Sequence, residues 1–290
     1  MSVSVSKSLR MVAVTGAAAL LAAGCASSQH AGVAKAKATS TSTSTRATTP
    51  RQAILLAAHQ ARLATSYSAN FSMSLTGATG MTMSGTMSAQ TRPTLLAEAT
   101  LPTVVADGQS VPGGIDEVIT AKAIYMKMSE LSKALGKAWL EMPYSELTTV
   151  TGADFGAIFQ QIQGESPLQE TQELAGPTDI HDMGRTTVDG TAVTEYSGTI
   201  SVKAALAQLP ASARAGFQQE DTKEGITSAD FTIWVDGQHQ VRKLTVTDHG
   251  TQATIVVSEL VTSINQPVSV QLPAASQVAT IPASELGSGQ

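Results

Sequence analysis

A single cysteine, Cys25, stands in a chain of 290 residues. One thiol excludes a disulfide framework and any cysteine-pair metal site, so stability has to come from a conventional core. Aromatics are scarce at 4%, and charged residues make up only 14%. With a net charge of −5 the chain has no basic footprint for nucleic acid and no polybasic patch for anionic lipid. Beyond the first two dozen residues no long apolar run follows, so no later segment reads as a membrane span. Catalytic signatures are missing as well: there is no G-x-S-x-G elbow, no H-E-x-x-H and no phosphate-binding glycine loop ending in Lys-Ser or Lys-Thr. Ser4-Val5-Ser6-Lys7 matches S-x-x-K only inside the leader, and Asn70-Phe71-Ser72 fits a sequon that reads as strand. No enzyme is visible, and no cofactor is expected.

What is present begins at the N-terminus. Lys7 and Arg10 precede an apolar run from Met11 to Leu21, and Ala22, Ala23 and Gly24 lead into Cys25. The run is too short to span a bilayer and has the order of an export signal. It resembles a lipobox, in which the cysteine thiol is diacylated and the leader is cut just before it; Leu21 stands four places ahead where three is usual. The alternative is an ordinary leader with an incidental cysteine. Residues 1–24 are therefore expected to be a lipoprotein signal peptide and Cys25 the lipidated residue. Loss of Lys7 and Arg10 with the leader takes the net charge from −5 to −7. The expected location is the cell membrane, lipid-anchored, on the extracytoplasmic face.

Residues 25–48 are expected to be the acylated cysteine and a stretch made nearly all of Ala, Ser, Thr, Gly and Lys, with strict Thr-Ser alternation from Thr39 to Thr45. A segment with no apolar period cannot offset its ordering entropy, so it reads as a tether. At 5–6 Å × √n its typical reach is roughly 25–30 Å.

Folded sequence starts at Thr49-Pro50-Arg51-Gln52, a capping box with proline at the first helical position. Helices are expected near 50–66, 153–175 and 203–219, the last broken by Pro210. Phe71, Met73 and Leu75 alternate with Ser72, Ser74 and Thr76, and after a Gly77–Gly80 turn Met81, Met83 and Met87 alternate with polar residues. Further runs cover Thr94–Leu101, Glu117–Met128, Ala138–Met142, Thr186–Val188 and Ala192–Val202, the last two joined by an Asp189-Gly190 turn. A meander follows over Ala229–Val235, Val241–Asp248 and Gln252–Val261, with turns at Asp236-Gly237 and Gly250. Pro267, Pro273 and Pro282 suit edge segments. This is an α+β chain: a strongly curved antiparallel β half-barrel of about ten strands, with helices packed on the concave face. The domain is placed at residues 49–282 and a tail at 283–290.

The paired strands "SANFSMSLTG" and "MTMSGTMSAQ", the segment "YMKMSELSKALGKAWLEMP", the hairpin "FTIWVDGQHQVRKLTVTD" and the closing "INQPVSVQLPAAS" give the chain its resemblance to the LppX/LprAFG-type lipoproteins, which share the LolA-like half-barrel. The resemblance implies a cavity between sheet and helices that holds an acylated lipid or glycolipid. It carries no ligand-contact motif. The residues give a separate pointer: Phe71, Met73, Leu75, Met81, Met83, Met87, Ile124, Met126, Met128, Phe155 and Phe159 fall on apolar faces and are the candidate cavity lining. Methionine is flexible and over-used where varied apolar partners bind. A solid core would use the same positions, and well-specified cores use Met sparingly.

No metal site is expected. His239 and His249 lie roughly 33 Å apart along one strand, too far to share an ion. Asp179, His181 and Asp182 read as exposed loop residues, and Glu220, Asp221 and Glu224 as a solvated acidic face. Two functions stay open. One is an anchored envelope protein that binds, and possibly shuttles, an acylated lipid; the other is a protein-interaction or sensory module of the same fold with no lipid ligand. An accessory subunit presenting a surface loop is a third.

Overall fold

A computed structural model describes residues 49–77, 80–151, 154, 156–157, 179–207, 211–251 and 253–280. Cys25, the tether, Phe155, Phe159 and nearly all of the helix expected at 153–175 lie outside the described residues, as do residues 281–290, which include the expected tail at 283–290.

Helix α1 (Pro50–Leu63) starts as its sequence dictates. The Gln52 amide donates to Thr49 Oγ1 at 3.3 Å and the Thr49 amide to Gln52 Oε1 at 3.0 Å, so two otherwise unpartnered N–H groups are satisfied reciprocally. Strands β1 (Ser66–Gly77), β2 (Met81–Gln90), β3 (Leu96–Ala106), β4 (Gln109–Ser110), β5 (Ile115–Thr120) and β6 (Ala123–Lys127) follow. Short helix α2 (Ser129–Leu135), strand β7 (Trp139–Pro143) and helix α3 (Tyr144–Thr151) complete the first half. The second half holds β8 (Ile180–Val188), β9 (Thr191–Ser201), α4 (Val202–Ala207), α5 (Ala211–Glu224), β10 (Ser228–Asp236), β11 (Val241–His249), β12 (Ala253–Ile264) and the three-residue β13 (Val278–Thr280).

All thirteen strands join one sheet in the order β13-β7-β6-β5-β3-β2-β1-β12-β11-β10-β9-β8, with β4 paired to β3 off that path. Neighbours are antiparallel except β13, which lies parallel to β7. The two ends, β13 and β8, do not pair with each other along that path, so the sheet is open. The fold is thus the expected α+β class, with three more strands than the alternation had suggested. Part of the difference lies at Glu117–Met128, which divides into β5 and β6. Thr120 Oγ1 accepts from the Lys122 and Ala123 amides and closes that turn. Asp179 precedes β8, whereas His181 and Asp182 sit within it; the sheet edge, not a loop, carries them.

One face is apolar and continuous. Its register runs Gly85–Phe71–Glu259–Leu244–Ile233–Tyr196 across six strands, from β2 to β9. Helices cover this face. Ala53 and Ala57 of α1 pack with Tyr196 and Val235 at one end, and Leu131 of α2 with Tyr144 and Leu147 of α3 join the core at the other. The opposite face is hydroxyl-rich. A single row, Thr103–Ser84–Ser72–Ser258–Thr245–Thr232–Ser197, crosses seven strands there. Two hydroxyl pairs meet on that face at 3.0 Å (Ser68–Ser88) and 3.2 Å (Thr245–Ser258).

Candidate functional site

Strand alternation sends every second side chain to the covered face, and register then decides which of them meet. Met73 faces Met83 across β1–β2, and Leu75 faces Met81. Ile124 faces Met142 and Met126 faces Leu140 across β6–β7. Phe71, Met73, Leu75, Met81, Met83, Met87, Ile124, Met126 and Met128 are all buried in one cluster, so nine of the eleven candidates come together. Met83 and Met126 are 2% and 1% exposed. Seven of the ten methionines in the sequence belong to this cluster. At the rim, where the β1–β2 and β3–β4 turns lie side by side, a shallow depression of about 400 Å³ is lined by Leu75, Gly77, Gly80, Met81, Val105 and Gly108.

Glu117, Glu259 and Tyr67 also lie on this apolar face, and the expected lining did not include them. Glu117 stands between Ile115 and Ile119 on β5, opposite Ala99 and Met126. Glu259 follows Ile255 and Val257 on β12, opposite Phe71 and Leu244. Tyr67 opens the β1 series that continues through Ala69 to Leu75. They are 5%, 6% and 7% exposed. Glu117 Oε1 and the Tyr67 hydroxyl have no hydrogen-bond partner among the described residues. Burial pushes both glutamates up to about 7. Tyr67 is raised by burial first and then by the charge of Glu259. Asp248, which faces Ile255 on the same side, is also raised by burial. The signal was there to be read: in Ile115-x-Glu117-x-Ile119 and Ile255-x-Val257-x-Glu259, an acid occupies an apolar slot of the alternation.

Elsewhere, charged groups follow ordinary surface chemistry. His249 meets Asp230 at 3.0 Å and His181 meets Asp179 at 2.9 Å, both pairs exposed. Asp236 is different. Its buried carboxylate accepts from the Gln238 and Gln240 amides and from Arg242 Nε, and so fixes the β10–β11 turn.

The chain is similar to the Mycobacterium tuberculosis lipoprotein LppX and to LprF from Mycobacterium bovis. The LppX structure from Mycobacterium tuberculosis shares 18% identity over 77% of this chain and 98% of its own, with a TM-score of 0.45. LprF from Mycobacterium bovis shares 15% over 78% and 97%, with a TM-score of 0.47. A Streptomyces griseus protein, described as an uncharacterized 31.2 kDa protein in the rplA-rplJ intergenic region, is 33% identical over 104 residues. That match covers 35% of this chain and about a third of the relative, 34%. No family model matches the chain.

Proposed function

We propose that this protein is an exported lipoprotein, anchored through acylated Cys25 to the extracytoplasmic face of the cell membrane. Its domain, placed at residues 49–282, binds an acylated lipid or glycolipid against the apolar face of the sheet. It acts as a binding protein, with no catalysis and no cofactor, and shuttling between membranes is one use such binding serves. The supporting observation is the methionine-rich cluster, which runs from β1 to β7 on the helix-covered side. Unbranched thioether side chains repack at little cost, so such a wall can part to admit a chain where a Leu/Ile wall would resist. Burying a methylene contributes about 0.8 kcal/mol, so a sixteen-carbon chain offers roughly 12 kcal/mol gross before ordering costs.

The close packing of Met83 and Met126 also fits the other reading, a filled core that presents its surface to a protein partner. Lipid content separates the two. Cys25→Ser chain, free of covalent acyl groups, is examined by native mass spectrometry and solvent extraction. The lipid reading expects a co-purifying acyl lipid, reduced several-fold by combined Met83→Trp and Met126→Trp substitution in a chain whose circular dichroism is unchanged. Lipid-free wild-type interior, or undiminished lipid in the folded double variant, sinks it in favour of the protein-binding module.

A further inference from the structure

Helix α1 turns one face to the sheet and leaves apolar side chains on the other. Ala53, Ala57 and Ala58 are buried, and Ala53 and Ala57 pack against Tyr196 and Val235. Leu56 and Leu63 are 39% and 50% exposed. Seven residues make almost two full turns, so these leucines stand within about 20° of each other around the helix and roughly 10 Å apart along it. A lone exposed leucine needs no explanation, but two aligned on the outer side of one helix form a directed surface. The charge of this helix is one-sided. It carries Arg51, His59 and Arg62 and no Asp or Glu, in a chain where acids outnumber Lys and Arg by 23 to 18. A further guanidinium comes from the turn after β2. Arg92 Nη2 donates to the Arg62 carbonyl at 2.9 Å, which sets Arg92 beside the end of α1 where Leu63 lies.

We propose that the outer side of α1 is a membrane-contact surface whose occupant is the head-group layer of an anionic phospholipid bilayer. An interfacial helix combines apolar side chains that enter the head-group boundary with basic ones that meet anionic lipid. Leu56 and Leu63 supply the first, and Arg51, Arg62 and Arg92 the second. Three guanidinium groups fall short of the cluster of about four to eight that holds anionic lipid unaided. The anchor makes up the difference. The proposed tether, residues 25–48, ends just before the Thr49 cap, so α1 is the first folded element that acyl chains at Cys25 bring to the bilayer. A contact made by a tethered domain is in effect intramolecular and needs little affinity of its own. The inference rests on the proposed anchoring and adds the orientation of the domain. Because α1 lies over the apolar face, contact through its outer side turns the hydroxyl-rich face of the sheet away from the lipid.

The test uses the acylated protein purified from membranes, in which Cys25 leaves no free thiol. A cysteine introduced by Leu56→Cys, Leu63→Cys or, on the hydroxyl-rich face, Ser72→Cys then takes a fluorophore at one site. Each labelled protein is placed in phosphatidylcholine vesicles with or without phosphatidylglycerol, and spin-labelled lipid serves as the quencher. With phosphatidylglycerol present, quenching at 56 and 63 should be at least threefold that at 72. It should fall at least twofold in phosphatidylcholine alone, and Arg62→Gln with Arg92→Gln should lower it to the same level. Thermal unfolding checks that each variant is folded, and positions 56 and 63 report independently. If all three sites quench equally, or quenching at 56 and 63 ignores both phosphatidylglycerol and the arginine substitutions, the contact surface is overturned while anchoring stands. If the wild type does not float with vesicles and Cys25 reacts with thiol reagents, the anchoring reading falls and takes this inference with it.

Discussion

Glu117 and Glu259 occupy slots that alternation assigns to apolar side chains, and the cost of that placement depends on pH. Burial holds both carboxyls near 7 in the folded chain, against an ordinary value of 4.5. Between those values the folded chain keeps protons that the unfolded chain has released. Stability therefore falls as pH rises from about 4.5 to 7 and levels off above that. A shift of this size corresponds to about 3 kcal/mol for each group. Asp248 acts in the same direction but is untouched by substitution at the other two, so it cancels in a difference. Glu117→Gln combined with Glu259→Gln should leave stability nearly unchanged at pH 4.5 and raise it by several kcal/mol at pH 8. Urea unfolding at both pH values measures this. A gain that does not grow with pH would show that the glutamates titrate normally.

Gly85 illustrates how one position constrains an element. It lies in the irregularity between Ser84 and Thr86 where β2 and β3 change register. A Cβ there would run into the Thr100 carbonyl and the Leu101 backbone, which cannot swing aside as a side chain tip could. Gly80, in the turn before β2, has nothing within 4 Å of the same atom. Gly85→Ala is expected to cost about 1–3 kcal/mol, as overpacking generally does, while Gly80→Ala is nearly neutral. Paired thermal melts decide it; equal losses at the two sites would show that the β2–β3 approach is not tight.

The same scale shows what could be read in advance. The β1 and β2 alternation, the capping box of α1 and the Asp189-Gly190 turn carry their signals locally, and each is where those residues imply. Asp189 and Gly190 both take positive φ, as that hairpin turn requires. Helices α2 and α3 were not legible. Met128 offers α2 no side-chain cap, and only Gly136 in the left-handed conformation marks its end. The α3 sequence reads Thr-Thr-Val-Thr at its close, a strand-forming run. It is helical because Tyr144 and Leu147 are buried in the core, while Thr148 and Thr149 donate their hydroxyls to carbonyls one turn back. The parallel β13–β7 pairing was equally hidden, since it joins residues 139 apart in sequence through three positions.

At the scale of the whole molecule, the pairing of β1 with β12 sets the first strand of the described chain against a late one in the middle of the sheet, while the last strand, β13, lies at one end of it. Helix α1 leaves that seam and packs over β8, β10 and β11. The proposed tether therefore joins a helix that is itself part of the cover over the apolar face. In the proposed arrangement an anchor at Cys25 would hold the domain at a typical distance of roughly 25–30 Å from the membrane, close enough to meet lipids. No described helix is long and apolar enough to cross a membrane. In this proposal, attachment depends on the acyl chains at Cys25: two chains hold a protein stably, whereas one is marginal. Cys25→Ser should therefore move the protein from the membrane pellet to the soluble fraction on cell fractionation, without altering its melting temperature, because residues 25–48 are not expected to join the fold. A Cys25→Ser protein that sediments with membranes as fully as wild type would show that something other than acylation holds it there. A large fall in melting temperature would instead place the tether within the folded domain.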